Sequence, residues 1–195
     1  MIVGDRSSFA IESSITQAFS SLGQRALGYF VIYVRGKSYG VKRPDASLLA
    51  CSFEEVGSRI ARRGVHQISY LSCTSASLIV EAFLDAKYRE NARSDYFGNS
   101  LSSFISDFDR SNVQWAPDGD AAFDDGSYIM QFDVGDRVRL IAFINAECPV
   151  ETANSIEEEW IDGDIFYRVL SEWEELFAED WSDRIRKASV KSATH

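Results

Sequence analysis

The stretch Phe9-Ala-Ile-Glu-Ser-Ser-Ile-Thr-Gln-Ala-Phe19 decides the fold class, because Phe9, Ile11, Ile15 and Phe19 alternate with Glu12, Ser14 and Thr16. A two-residue period predicts a long strand over 9–19 with one buried face. Gly23 and Gly28 bracket a turn, and Tyr29–Val34 is an unbroken aromatic and β-branched run that reads as a central strand covered on both faces. Arg35-Gly36-Lys37 turns the chain into a third, short strand ending near Val41, which completes a meander.

Working outward, Pro44-Asp45 offers helix-start chemistry with Asp45 as the cap, and Leu49, Ser52, Phe53, Val56 and Ile60 repeat at helical spacing to the stop at Gly64. A helix over 46–63 follows, with Arg59, Arg62 and Arg63 in its last turn complementing the dipole. A second helix over 76–91 presents Ile79, Ala82, Phe83 and Ala86, and 65–71 reads as a strand or extended linker. Residues 94–126 read as loops around a short element near Phe104.

Tyr128, Met130, Phe132 and Val134, then Val138, Leu140, Ala142 and Ile144, predict a β-hairpin. A three-residue loop, Gly135 to Arg137, would pair 132 with 140 on one apolar face, whereas a two-residue loop would set Phe132 against Arg139. The first register is the one expected. Ile156, Glu158 and Trp160 mark a last strand, and Asp164 is placed to cap a helix whose stripe is Phe166, Val169, Leu170, Trp173, Leu176, Phe177 and Trp181. The expected architecture is α+β: an antiparallel sheet from the N-terminal meander and the later hairpin, with helices packed on one face. Residues 1–187 form a single globular domain and 188–195 a polar, disordered tail in this reading.

A chain of 195 residues, 45% apolar, suffices for one core. No run approaches the roughly 18 apolar residues that span a bilayer, and Met1–Arg6 does not open like a secretory signal, so no membrane is expected as partner. Cys51, Cys73 and Cys148, odd in number and widely spaced, are expected to be buried thiols in a reducing cytoplasm.

Charge is asymmetric. Residues 1–97 hold 12 basic and 9 acidic side chains, a net +3, and residues 98–195 hold 8 and 21, a net −13. Such a half repels phosphate backbones, which argues against nucleic acid and for a basic protein partner. The candidate contact residues are Asp118, Asp120, Asp124 and Asp125 in the irregular region, and Glu172, Glu175 and Glu179 on the helix face opposite Trp173.

Chemistry is sparse in the sequence. The histidines are His66 and His195; neither forms a triad pattern, and a dyad of His66 with Cys51 or Cys73 lacks any accompanying signature. Zinc spacings and phosphate-loop patterns are missing. Counted from Asp118, an EF-hand loop would need Gly at 123 and Glu at 129, where Phe123 and Ile129 stand. No catalytic residue, cofactor or metal ligand is therefore assigned.

Both termini carry a resemblance. Met1-Ile-Val-Gly-Asp-Arg-Ser-Ser-Phe-Ala-Ile-Glu-Ser13, then Gly28-Tyr-Phe-Val-Ile-Tyr-Val-Arg-Gly36, resemble the opening of the immunity protein 42 family of bacterial polymorphic toxin systems. Trp160 to Leu176, with Phe166-Tyr167 and Trp173-Glu174, resembles its closing helix. The likeness spans roughly the first 60 and last 35 residues. It implies a cytoplasmic antidote that binds a cognate toxin domain, expected to be basic, and supplies no catalytic residues. The competing reading is a small acidic binding or regulatory module, or a carboxylate enzyme using an external metal.

Overall fold

The computed structural model describes residues 1–115 and 120–192. Strands β1 (Ile2–Gly4), β2 (Phe9–Ala18), β3 (Ala26–Val34), β4 (Lys37–Tyr39) and β5 (Ser47–Leu48) form an antiparallel sheet ordered β1-β2-β3-β4, with β5 also paired to β3. The Arg35-Gly36 turn joins Val34 to Lys37 with both residues at positive φ, 49° and 83°. That geometry matches the right-handed twist of the strands it connects. Gly28 lies within β3 and not at the turn, and a Cβ there would fall 1.9 Å from the Ser14 carbonyl oxygen, beside the bulge between Ile15 and Gln17.

A second sheet, ordered β10-β9-β8, is built from β8 (Ser127–Val134), β9 (Arg137–Ile144) and β10 (Glu157–Asp162). The α+β class holds, with the meander and the later hairpin in two separate sheets where one was expected. One core lies between the first sheet, α1 (Ala50–Ala61), α5 (Gly163–Ser192) and the β9 face bearing Val138, Leu140 and Ala142. A second core lies beneath the opposite face, where Met130, Phe132, Ile141 and Phe143 meet α2 (Ala76–Tyr88) and α3 (Leu101–Ser111). Helices thus cover both sides of the second sheet.

This two-sided burial explains the hairpin. Val134 pairs with Arg137 and Phe132 with Arg139, so the loop is the two-residue Gly135-Asp136, with Gly135 at φ 62°. The three-residue expectation assumed one apolar and one wet face. Instead Arg139 is buried, with its guanidinium donating to Glu158 (2.8 Å) and to the carbonyls of Leu71 (3.0 Å) and Thr74 (2.7 Å). An arginine so satisfied can stand opposite a phenylalanine inside the protein.

Other boundaries move for local reasons. Asp45 does not cap α1, because Ser47 and Leu48 are pulled into the sheet opposite Gly28 and Leu27 and the helix begins only at Ala50. Residues 69–71 form a single 3-10 turn, and α2 stops at Tyr88. The irregular region contains an eleven-residue helix, α3, whose Ser100 Oγ accepts from the Ser103 N–H at 3.3 Å; the hairpin β6 (Asp95–Tyr96) and β7 (Asn99–Ser100) precedes it. A short helix α4 (Pro149–Ser155) joins β9 to β10. Asp162, in place of Asp164, caps α5 by accepting from the Ile165 N–H at 3.0 Å, while Asp164 pairs with Arg63. Helix α5 runs to Ser192, so the segment read as a tail from 188 includes helical turns. All three cysteines are exposed, contrary to the expectation of buried thiols.

Candidate functional site

Helix α5 is fixed in rotation by its aromatic side. Phe166, Leu170, Trp173 and Phe177 are fully buried; Trp173 stands edge-on to Phe30 at 5.1 Å and donates from Nε1 to Ser13 Oγ at 3.0 Å. About two turns beyond Trp173, Trp181 Nε1 reaches the carbonyl of Arg25 at 2.9 Å. With those anchors set, Glu172, Glu175 and Glu179 are exposed, and none has a partner among the described residues. Like charges three and four residues apart lie side by side on a helix and repel. Leu176, assigned to the apolar stripe, is 39% exposed between them.

The aspartate region divides. Asp118 lies outside the described residues. Asp120 caps the 3-10 turn Ala121–Phe123 by accepting from the Ala122 N–H at 2.9 Å. Asp125 accepts from the Ser127 N–H at 3.1 Å, so both are engaged in turn formation. Asp124 is exposed and without a partner among the described residues. The turn and the helix that carries the three glutamates share a support: Phe123 and Trp173 both stand edge-on to the Phe30 ring. Among the described residues, no three His, Cys, Asp or Glu side chains converge as metal ligands.

A buried polar network was not foreseen. Arg59, read as a last-turn cation that complements the helix dipole, is fully buried, because it faces Trp115 and the second sheet and not solvent. Its guanidinium donates to Gln131 Oε1 (3.0 Å) and the Gln114 carbonyl (2.6 Å), lies 4.5 Å from the centre of the Trp115 ring, and has Glu55 Oε1 at 2.8 Å from Nε. Gln131 passes the chain on, donating to Tyr167 Oη (2.8 Å) and Asp133 (3.1 Å), and Tyr167 donates to Asp133 at 2.9 Å. Asp133 also accepts from the Gly64 N–H at 2.7 Å. His66 is buried with Nδ1 3.0 Å from the carbonyls of Ser111 and Asn112, so Nδ1 carries the proton and donates. Burial, aided by the nearby Arg59 charge, holds its pKa below the usual imidazole value. These groups tie α1, α5 and the second sheet together. The sequence signal that existed was the i,i+4 pair Glu55–Arg59 on an apolar helix.

Elsewhere, carboxylates are consumed in structural bonds. On the outer face of the first sheet, Glu12 accepts from Tyr29 and Tyr33 at 2.9 Å each, from Lys42 at 2.9 Å and from Arg6 at 2.7 Å. Burial raises its pKa, but the hydrogen bonds from Lys42, Tyr33, Tyr29 and Arg6 outweigh that and hold it at about 2. Between the sheets, Lys37 pairs with Glu157 at 2.7 Å and Ser8 donates to Glu159 at 2.9 Å.

The chain was compared with known proteins. No curated protein matches it. A solved structure, the crystal structure of CdiI from Burkholderia dolosa AUO158, is similar in fold, with a TM-score of 0.55 at 17% identity over 88% of this chain and 97% of that one. The family model for immunity protein 42 matches residues 1–176, through both sheets, both cores and the acidic face of α5 as far as Glu175. The chain therefore belongs to the immunity protein 42 family.

Proposed function

We propose that this immunity protein acts as a stoichiometric inhibitor in the cytoplasm, binding a basic cognate toxin domain and catalysing nothing itself. The observation that supports it best is the set of unpartnered carboxylates Glu172, Glu175 and Glu179 on a helix whose opposite face is locked into the core. Charge held on a rigid element, at the cost of a few tenths of a kcal/mol per like pair, is suited to steering a cationic partner and to fixing register on contact. Asp118, Asp120, Asp124 and Asp125 form the second candidate surface, in which Asp124 is the member without a turn-forming bond among the described residues.

The test uses the C-terminal domain of the protein encoded immediately upstream of this gene, the position expected for a cognate toxin. Charge reversal of Glu172 and Glu175 to Lys, and separately of Asp118 and Asp120 to Lys, should slow association and flatten its salt dependence at whichever surface is used. For the helix pair, folding stability should change little. Unaltered association of both double variants at low salt would refute electrostatic engagement through these surfaces. An undiminished toxin activity in the presence of excess wild-type protein would refute inhibition itself.

A further inference from the structure

Between α1 and the 3-10 turn at 69–71, residues 64–68 form a strap laid along the outer edge of β8. The Asp133 N–H donates to the His66 carbonyl at 2.7 Å, and the N–H groups of Gly64 and His66 donate to the Asp133 carboxylate at 2.7 and 3.3 Å. On its other side the strap meets the end of α3, where Ser111 Oγ donates to the Gln67 carbonyl at 2.7 Å. The strap thus ties β8 to the C-terminus of α3, and the side chain of His66 is the pin between them.

That pin is fully enclosed, and it is the one histidine among the described residues. With Nδ1 donating to the Ser111 and Asn112 carbonyls, Nε2 is left buried and without a hydrogen-bond partner among the described residues. A bare acceptor nitrogen there is tolerable; the N–H of an imidazolium with no acceptor is far more costly. The surroundings decide which form persists. From α1 comes the buried Arg59 guanidinium, a like charge, with Glu55 as its counter-ion. Arg62 and Arg63 are engaged with the Arg110 carbonyl and Asp164. From β8 comes Asp133, already bonded to Tyr167 of α5 and to Gln131. Burial and then the Arg59 charge oppose protonation, and they outweigh Asp133 and the two carbonyls, which favour it.

We infer that His66 is an acid-operated lock: a proton arriving at Nε2 finds no acceptor and sets a second cation beside Arg59, so acidification releases the 64–68 strap from β8 and from the end of α3. A histidine neutral in the fold and free to charge once released makes stability fall with pH. The contribution is full above the ordinary imidazole value of 6.5 and is lost as pH falls from there toward the lower folded value. Glu55 works in the opposite sense, because a carboxyl whose pKa is raised by burial favours the fold on acidification. Glu12 acts in a separate window, between about pH 4.5 and 2.

The test is made in a His195→Ala background, so that His66 is the sole imidazole. Asn replaces His66 in a second protein, since its amide can donate to the Ser111 and Asn112 carbonyls without titrating. Urea unfolding from about pH 7.5 to about pH 5 gives the folding equilibrium constant of each. Relative to the His66→Asn protein, the parent should lose up to about tenfold in that constant per pH unit below 6.5. Two measurements on the parent need no substitution at His66. Its imidazole proton resonance should titrate below 6.5, and the Asp133 amide, bonded to the His66 carbonyl, should lose hydrogen-exchange protection on acidification after correction for the intrinsic rate. An imidazole that titrates at or above 6.5, an Asp133 amide whose protection does not change, or the same pH dependence in both proteins would overturn the lock.

Discussion

Replacing Arg59 with Met tests the buried network at its centre. The guanidinium is enclosed, and burial, only partly offset by Glu55, draws its pKa down to about 10, so it stays charged at neutral pH. Methionine fills much of the same volume without charge or donors. It leaves Gln131 Oε1 and the Gln114 carbonyl without their donor and Glu55 without its counter-ion. Breaking a buried pair costs about 3–5 kcal/mol, and each orphaned acceptor about 1–3 kcal/mol. These penalties overlap, so the expected loss is about 4 kcal/mol, a large part of a total stability of roughly 5–15 kcal/mol. Burial already raises the Glu55 pKa, with Arg59 pulling the other way; removing Arg59 raises it further. A carboxyl with a raised folded-state pKa favours the fold while protonated and loses that contribution as pH rises through the folded value. The Arg59→Met penalty should therefore be larger at about pH 7 than at about pH 5. Urea unfolding followed by circular dichroism at both values measures it, with unchanged slopes as the check on two-state behaviour. A loss below about 1 kcal/mol, or a penalty that grows on acidification, would refute the assignment of Arg59 as a charged, network-bearing residue.

Trp173→Ala should cost roughly 3–5 kcal/mol, since it empties the contact between Phe30 and Phe177 and orphans Ser13; an unshifted urea midpoint would contradict the packing of α5. For Glu12, the folded pKa of about 2 against an ordinary value of 4.5 means that its stabilisation is present above about pH 4.5 and lost as pH falls toward 2. Glu12→Gln should therefore destabilise the protein at neutral pH and flatten the acid limb of its stability profile, read from thermal melts across that range. Removal of residues 188–195 should leave the midpoint and toxin association unchanged, because the polar end of α5 has little apolar area to bury; a lowered midpoint would place structural contacts there.

Strand and helix periods were legible wherever one face is buried and the other wet. The α5 stripe follows that rule at Phe166, Val169, Leu170, Trp173 and Phe177, with Leu176 as the exception; the β2–β3 pairing was read correctly, but β2, expected to have one buried face, is buried on both over Phe9–Ser13. Legibility failed where polar side chains are buried by mutual satisfaction. Arg139 reversed the hairpin register and Arg59 reversed the meaning of the α1 C-terminus, because each is paired by residues 19 to 72 positions away that local pattern cannot supply. Helix α3 was hidden by its serines and aspartates, although Leu101, Phe104, Ile105 and Phe108 keep helical spacing. Of the candidate site, exposure of the three glutamates was foreseeable from Trp173.

β9 sends Leu140 and Ala142 into one core and Ile141 and Phe143 into the other. A single strand is therefore a party wall, and neither side can be opened without stripping the other of its lining. The two halves should therefore melt together in a single transition, and protection should spread the same way. A partner held at 100 times its Kd on either side raises the cost of unfolding the whole chain by about 2.7 kcal/mol, so a captured immunity protein resists proteolysis even in segments that the partner never touches.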